Sequence, residues 1–136
     1  MHYTSLTDPL AKKARLIYDR MTMDQKELAR GFLQQVISGD VSGAYAKYIH
    51  SDFRHHNTYY PGDAASLMKG MQENEQQFPR KILEIKQVIE DGDRVVVHSH
   101  LRFKPEDVGM VVAHFFRFQD GKIIELWDIG QAIPEN

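Results

Sequence analysis

Near the end of the chain, one histidine and one aspartate interrupt a face that is otherwise apolar, and their types suit chemistry better than any other pair. Val111–Phe118 (VVAHFFRF) and Lys122–Gly130 (KIIELWDIG) read as two strands joined at Gln119-Asp120-Gly121. Asp-Gly between apolar alternating runs is a strong hairpin signal. A two-residue Asp120-Gly121 turn would set Phe118 opposite Ile123, Phe116 opposite Glu125 and His114 opposite Trp127. A three-residue loop, with Gly121 as a left-handed bulge residue, instead sets Arg117 opposite Ile123, Phe116 opposite Ile124, His114 opposite Leu126 and Val112 opposite Asp128. The second register is the expected one, because Arg117 and Glu125 then meet as diagonal neighbours. It also gathers Val112, Phe116, Phe118, Ile124 and Leu126 on one face, broken only by His114 and Asp128. An imidazole and a carboxylate sharing an apolar surface suit general acid–base work, because burial and mutual attraction both move their pKa values. The bland alternative is a buried pair that merely satisfies itself.

Other chemistry-bearing residues are weaker candidates. His55 and His56 alternate sides of a short extended stretch, so at most one of them faces inward, and Asn57 beside them suits an Asx turn. His98 and His100 have the spacing of two metal ligands on a strand. The apolar parity there is the other one, Val95, Val97, Leu101 and Phe103, so both histidines are expected on the outer face without an acidic companion. No metal site is predicted. Tyr45, Tyr48, Tyr59 and Tyr60 read mainly as packing residues, with Tyr59 and Tyr60 ahead of the Pro61-Gly62 turn at the mouth of any pocket. Trp127 shares the Arg117/Glu125 side of the hairpin, where it suits packing or an interface. Met21, Met23, Met68 and Met71 read as core filling. Cysteine is absent, which excludes disulfides and thiolate chemistry.

The elements that must position these residues follow from periodicity. The chain has 136 residues, enough for one domain with a single core. Its net charge of −2, with acids and bases interspersed, provides no footprint for nucleic acid or an anionic membrane. No run is long and apolar enough for a bilayer span or a signal peptide, and a cytoplasmic location is expected by default. Residues 1–22 form an extension in which Asp8-Pro9 starts a helix carrying Leu10, Ala14, Ile17 and Met21 on the side laid against the domain. Thr22 and Gln25 resemble a capping box for a second helix, Met23–Ser38, with the stripe Leu28, Phe32, Val36. A third helix covers Val41–Ile49, Ser51–Tyr60 is a strand running into a loop, and a fourth helix covers Ala64–Phe78. After Pro79 the period becomes alternating, at Ile82–Glu90 and at Arg94–Phe103, where Ser99 lies on the core side with Leu101. Helices followed by an antiparallel meander predict an α+β fold, a curved antiparallel sheet wrapped over the N-terminal helices. Residues 23–131 are its core, and a sheet bent over helices leaves a concave pocket.

This ordering, with ISGD closing the second helix and FRFQDGKIIELWD near the end, resembles the nuclear-transport-factor-2-like superfamily with its cystatin-like architecture. Within it the match is to the SnoaL-like group, which includes polyketide cyclases and predicted aldol-condensation enzymes. The resemblance covers roughly Asp24 to Gln131. It implies a cone-shaped pocket, no cofactor, acid–base chemistry on a small apolar carbonyl compound, and a homodimer formed through the outer sheet face. By position, His114 resembles the acid that donates to the oxyanion in ketosteroid isomerases, and His56 falls where that family holds its base. Phe32 falls on its oxyanion tyrosine, so that donor is missing. Asp128 falls on an apolar position and supplies a new carboxylate, which matches in kind the aspartate base of SnoaL-type cyclases. The resemblance thus implies His56 or Asp128 as base and His114 as donor or proton shuttle. Phe32, Asn57, Tyr60, Ser99, Leu101, Phe116 and Leu126 are expected around the ligand. A non-catalytic binding module with the same cone is the rival expectation.

Overall fold

In the computed structural model, which describes residues 8–22 and 24–135, the chain runs α1 (Pro9–Thr22), α2 (Gln25–Ile37), α3 (Val41–Tyr48), β1 (Ile49–His55) and α4 (Ala64–Gln77). It continues through β2 (Ile82–Asp91), β3 (Arg94–Arg102), β4 (Met110–Gln119) and β5 (Lys122–Ala132). Aspartates start all four described helices. Asp24 accepts from the Lys26 N–H at 2.9 Å, Asp40 from Gly43 at 3.0 Å and Asp63 from Ser66 at 2.9 Å. Each such cap contributes about 1 kcal/mol. The cap of α2 is therefore Asp24 and not the expected Thr22, which is the last residue of α1. A carboxylate two residues further on caps the first N–H groups of a helix that starts at Gln25 and lets the preceding helix run to Thr22. Helix α1 forms where expected, with Asp8 Oδ1 accepting from Leu10 N at 3.1 Å. Its apolar stripe is not laid on the domain: Leu10 is 77% and Ile17 47% exposed. The Met21 side chain and Met23 lie outside the described residues.

The strands form one sheet in the order β1-β5-β4-β3-β2. β2 to β5 make the expected antiparallel meander, but β1 joins the edge parallel to β5, so the sheet is not wholly antiparallel. No hairpin links β1 to β5, and without a tight turn nothing imposes an antiparallel pairing. The β4–β5 register differs from both sequence expectations. Asp120 and Gly121 have φ of 55° and 74°, as a two-residue type I′ turn requires, and Gln119 pairs with Lys122 and Phe118 with Ile123. Ile124 is then extra, and Arg117 pairs with Glu125, Phe116 with Leu126 and His114 with Asp128. The bulge is at Ile124 and not at Gly121. It restores the facing that the two-residue turn alone would have inverted, and both Ile123 and Ile124 end up buried.

The inner sheet face meets α2, α3 and α4. Phe32 is fully buried, with edge-to-face contacts to Tyr45, Tyr48 and Phe116 at ring-centre distances of 5.7, 6.2 and 6.1 Å. This aromatic cluster, with Val95, Val97, Ile123 and Leu126, closes one part of the cone and leaves the rest open.

Candidate functional site

The open part of the cone is a pocket of about 410 Å³ between α2, α4 and the inner sheet face. Leu33, Val36 and Ile37 of α2 and Leu67 and Met71 of α4 make its apolar walls, with Leu83 and Leu101 from the sheet and Phe103 just past β3. Asn57, Tyr59 and Tyr60 of the β1–α4 loop form the mouth. That loop is pinned by backbone bonds from His55 N to Gly62 O at 3.0 Å and from His56 N to Leu126 O at 2.9 Å. Gly70 lets it approach: a Cβ there would stand 2.6 Å from the Tyr60 ring.

His114 and Asp128 both line this pocket, directly opposite one another on β4 and β5 and not diagonally as expected. Asp128 Oδ2 accepts from Asn57 Nδ2 at 3.0 Å, whereas Oδ1 is buried without a hydrogen-bond partner. His114 Nδ1 is likewise buried without a partner, and its ring stacks on Phe116 at 6.0 Å. Burial pushes the imidazole from 6.5 down to about 4, against the pull of the Asp128 carboxylate, so the ring is neutral at pH 7. Burial, with the Asp128 charge adding to it, raises the Tyr45 phenol far above its ordinary value, and its hydroxyl meets Met71 Sδ at 3.4 Å. Asn57 is doubly used, since its Oδ1 accepts from Tyr59 N at 2.9 Å. One amide side chain thus ties the mouth loop to the carboxylate.

The two neighbouring histidines at the end of β1 and just past it are disposed the other way from expectation. His55 is the inward one, 4% exposed and stacked on Phe53, its Nδ1 accepting from Asn57 N at 3.2 Å and its Nε2 buried without a partner. His56 is directed to the outer side, with Nε2 2.7 Å from Glu125 Oε2 and its ring stacked on Trp127 at 4.8 Å. Parity within the sequence carried this signal, because Ile49 and Phe53 share the odd positions with His55. Glu125 also accepts from Arg117 Nε at 2.8 Å. Burial works to raise its pKa, but the hydrogen bonds from His56 and Arg117 hold it below the ordinary carboxylate value.

Of the other residues expected around a ligand, Asn57, Tyr60 and Leu101 are in the pocket wall. Phe32, Phe116, Leu126 and Ser99 are instead sealed in the core, where the aromatic cluster fills the cone. Alternation predicted their face correctly but carries no information on how far the helices close over it. His98 Nδ1 lies 3.2 Å from Gln87 Nε2 and His100 Nε2 2.7 Å from the Val108 carbonyl. Among the described residues, no three His, Asp or Glu side chains are grouped as a metal site would need.

Sequence reasoning missed one polar group altogether. Glu75 and Lys81 form an ion pair at 2.7 Å, with side chains only 8% and 7% exposed, and Lys81 also donates to Asn74 Oδ1. All three line the pocket. The available signal was that Glu75 follows Leu67 and Met71 at intervals of four on the apolar stripe of α4.

A curved, unclosed sheet over helices with a pocket at their junction defines an α+β cone. The family model described as the SnoaL-like domain matches residues 29–126, and the chain belongs to that family. No curated protein is matched. Solved structures of similar fold include AclR from Streptomyces galilaeus, provisionally assigned as a hydroxylase. It is 24% identical over 87% of this chain and 82% of that one, with a TM-score of 0.68. IdmH from Streptomyces antibioticus, provisionally assigned as a polyketide cyclase, is 19% identical over 80% and 93% respectively, with a TM-score of 0.66. An uncharacterised cystatin-fold protein from Novosphingobium aromaticivorans is 21% identical over 79% and 98%, with a TM-score of 0.65. At these identities the likeness establishes the shared fold.

Proposed function

We propose that the pocket is the active site of a cofactor-independent enzyme that removes a proton next to the carbonyl of a small apolar compound. Asp128 accepts the proton through the oxygen that Asn57 leaves free. His114 donates its N–H to the oxygen on which the negative charge develops, and burial favours the neutral imidazole, which still carries one such N–H. Aldol-type cyclisation, isomerisation and dehydration all begin with this step. One observation carries the reading: a carboxylate and an imidazole stand opposite one another in an apolar pocket wall, each with a buried atom lacking a partner. His56 has no part in the reaction, since it is engaged by Glu125 on the other side of the sheet.

The test is exchange of α-protons of a bound ketone with deuterated water, followed by NMR. Wild type should catalyse it, and Asp128→Asn and His114→Ala should each lose it while keeping the wild-type melting transition. Binding of the ketone without exchange in wild type would instead favour a non-catalytic binding module. The outer sheet face, where Phe115 and Ile129 are 37% and 63% exposed beside Trp127, supports assembly as a homodimer. A monomeric mass by light scattering would refute that assembly.

A further inference from the structure

The buried Glu75–Lys81 pair is the feature of the pocket that proton abstraction does not use. An ion pair removed from water costs several kcal/mol of desolvation per charge, and apolar residues of similar volume generally fold as well. Both side chains face the cavity, and Lys81 Nζ lies 5.9 Å from the centre of the Phe103 ring, which also lines it. The ammonium has three N–H donors; Glu75 Oε1 and Asn74 Oδ1 take two. The third has no protein acceptor among the described residues. Because Glu75 cancels the charge of Lys81, this end of the pocket is polar but neutral. It suits an uncharged oxygen better than an anion.

Lys81 precedes β2, level with the start of β4, whereas His114 lies further along β4, so the two polar ends are separated by at least two strand spacings, about 10 Å, across the sheet. Met71, Leu83 and Leu101 supply the apolar wall between them. We propose that Lys81 and Glu75 form a second recognition pole of the pocket, which selects an elongated substrate carrying a neutral hydroxyl or carbonyl oxygen remote from the reacting carbonyl. The hydroxyl would accept from Lys81 and donate to Glu75. This rests on the reading of His114 and Asp128 for the reacting end only.

Three probes test it: 4-phenylbutan-2-one, its para-hydroxyl derivative and its para-carboxyl derivative, titrated against the whole chain by calorimetry. Wild type should bind the hydroxyl probe about tenfold more tightly than the parent, the effect expected of a hydrogen bond to a charged group. The carboxylate should gain nothing over the parent. In the double variant Glu75→Leu/Lys81→Met, which removes both charges together, the preference should shrink below about twofold. Should that variant not fold, the Lys81 side-chain methylene resonances of wild type decide. They should move with the hydroxyl probe and stay still with the parent. Equal affinity for parent and hydroxyl probe, a carboxylate that binds best, or no binding of the hydroxyl probe at millimolar concentration overturns the second pole. Deuterium exchange in the same samples separates the two ideas. Exchange without hydroxyl preference leaves the proton chemistry and removes the pole, and hydroxyl preference without exchange does the reverse.

Discussion

Burial of His114 should make the protein progressively less stable between pH 6.5 and 4. The imidazole sits at about 4 in the folded chain against 6.5 when free, because burial disfavours its charged form more than Asp128 favours it. In that window the unfolded chain binds a proton that the folded chain does not, so stability rises with pH and falls as acid is added. At about 1.4 kcal/mol per unit, the full difference is roughly 3 kcal/mol, and about 2 kcal/mol of it is lost by pH 5. With a urea slope of about 1.5–2 kcal/mol per molar, the midpoint should drop by about 1 M between pH 7 and pH 5. His114→Phe, which keeps a ring stacked on Phe116, should remove most of that drop. Glu125 does not contribute between pH 7 and pH 5, since the stabilisation of a carboxyl held below its ordinary 4.5 is lost only as pH falls past that value. The ring proton of His114 followed by NMR should show no titration until the pH nears 4. The reasoning fails if that resonance titrates near 6.5, or if wild type and His114→Phe lose stability equally between pH 7 and pH 5.

Lys81→Met alone should destabilise the fold by about 3–5 kcal/mol, because it leaves the Glu75 carboxylate buried and unpaired, whereas the double variant should melt within a few degrees of wild type. Gly31→Ala reverses the usual helix preference: the added Cβ would fall 2.9 Å from Cζ of the buried Tyr48, and thermal melts should show a loss of about 1–3 kcal/mol rather than a gain. Glu125→Gln should cost about 1–3 kcal/mol at pH 7 by weakening the bonds to Arg117 and His56. Chemical denaturation should show that gap closing as pH falls below 4.5, where Glu125 of the unfolded wild-type chain takes up a proton before the folded one does.

How much of this was legible beforehand differs from element to element. The helices α2, α3 and α4 and the strands β2 to β5 fall within a residue or two of the periodic runs, because the 3.6 and 2.0 repeats of apolar residues are local properties. The interruption of an apolar strand face by His114 and Asp128 was visible for the same reason. The register was not, since one extra residue at Ile124 changes every partner beyond it while leaving each strand's own alternation intact. The choice of His56 over His55 came from resemblance and ran against the parity of Ile49 and Phe53.

The amino-acid sequence by itself determined the order of helices and strands and which side of each central strand is apolar, since these follow from residue types at short fixed spacings. The family was legible as a resemblance carried by ISGD and FRFQDGKIIELWD. Only the tertiary structure decided that His114 faces Asp128 directly, that Asn57 holds that carboxylate, and that Phe32 and Phe116 fill the cone while Glu75 and Lys81 face its open part. These contacts join residues 6 to 84 positions apart, from Glu75–Lys81 to Phe32–Phe116. They depend on how closely helices and sheet approach, which is a property of the packed volume rather than of any repeat along the chain.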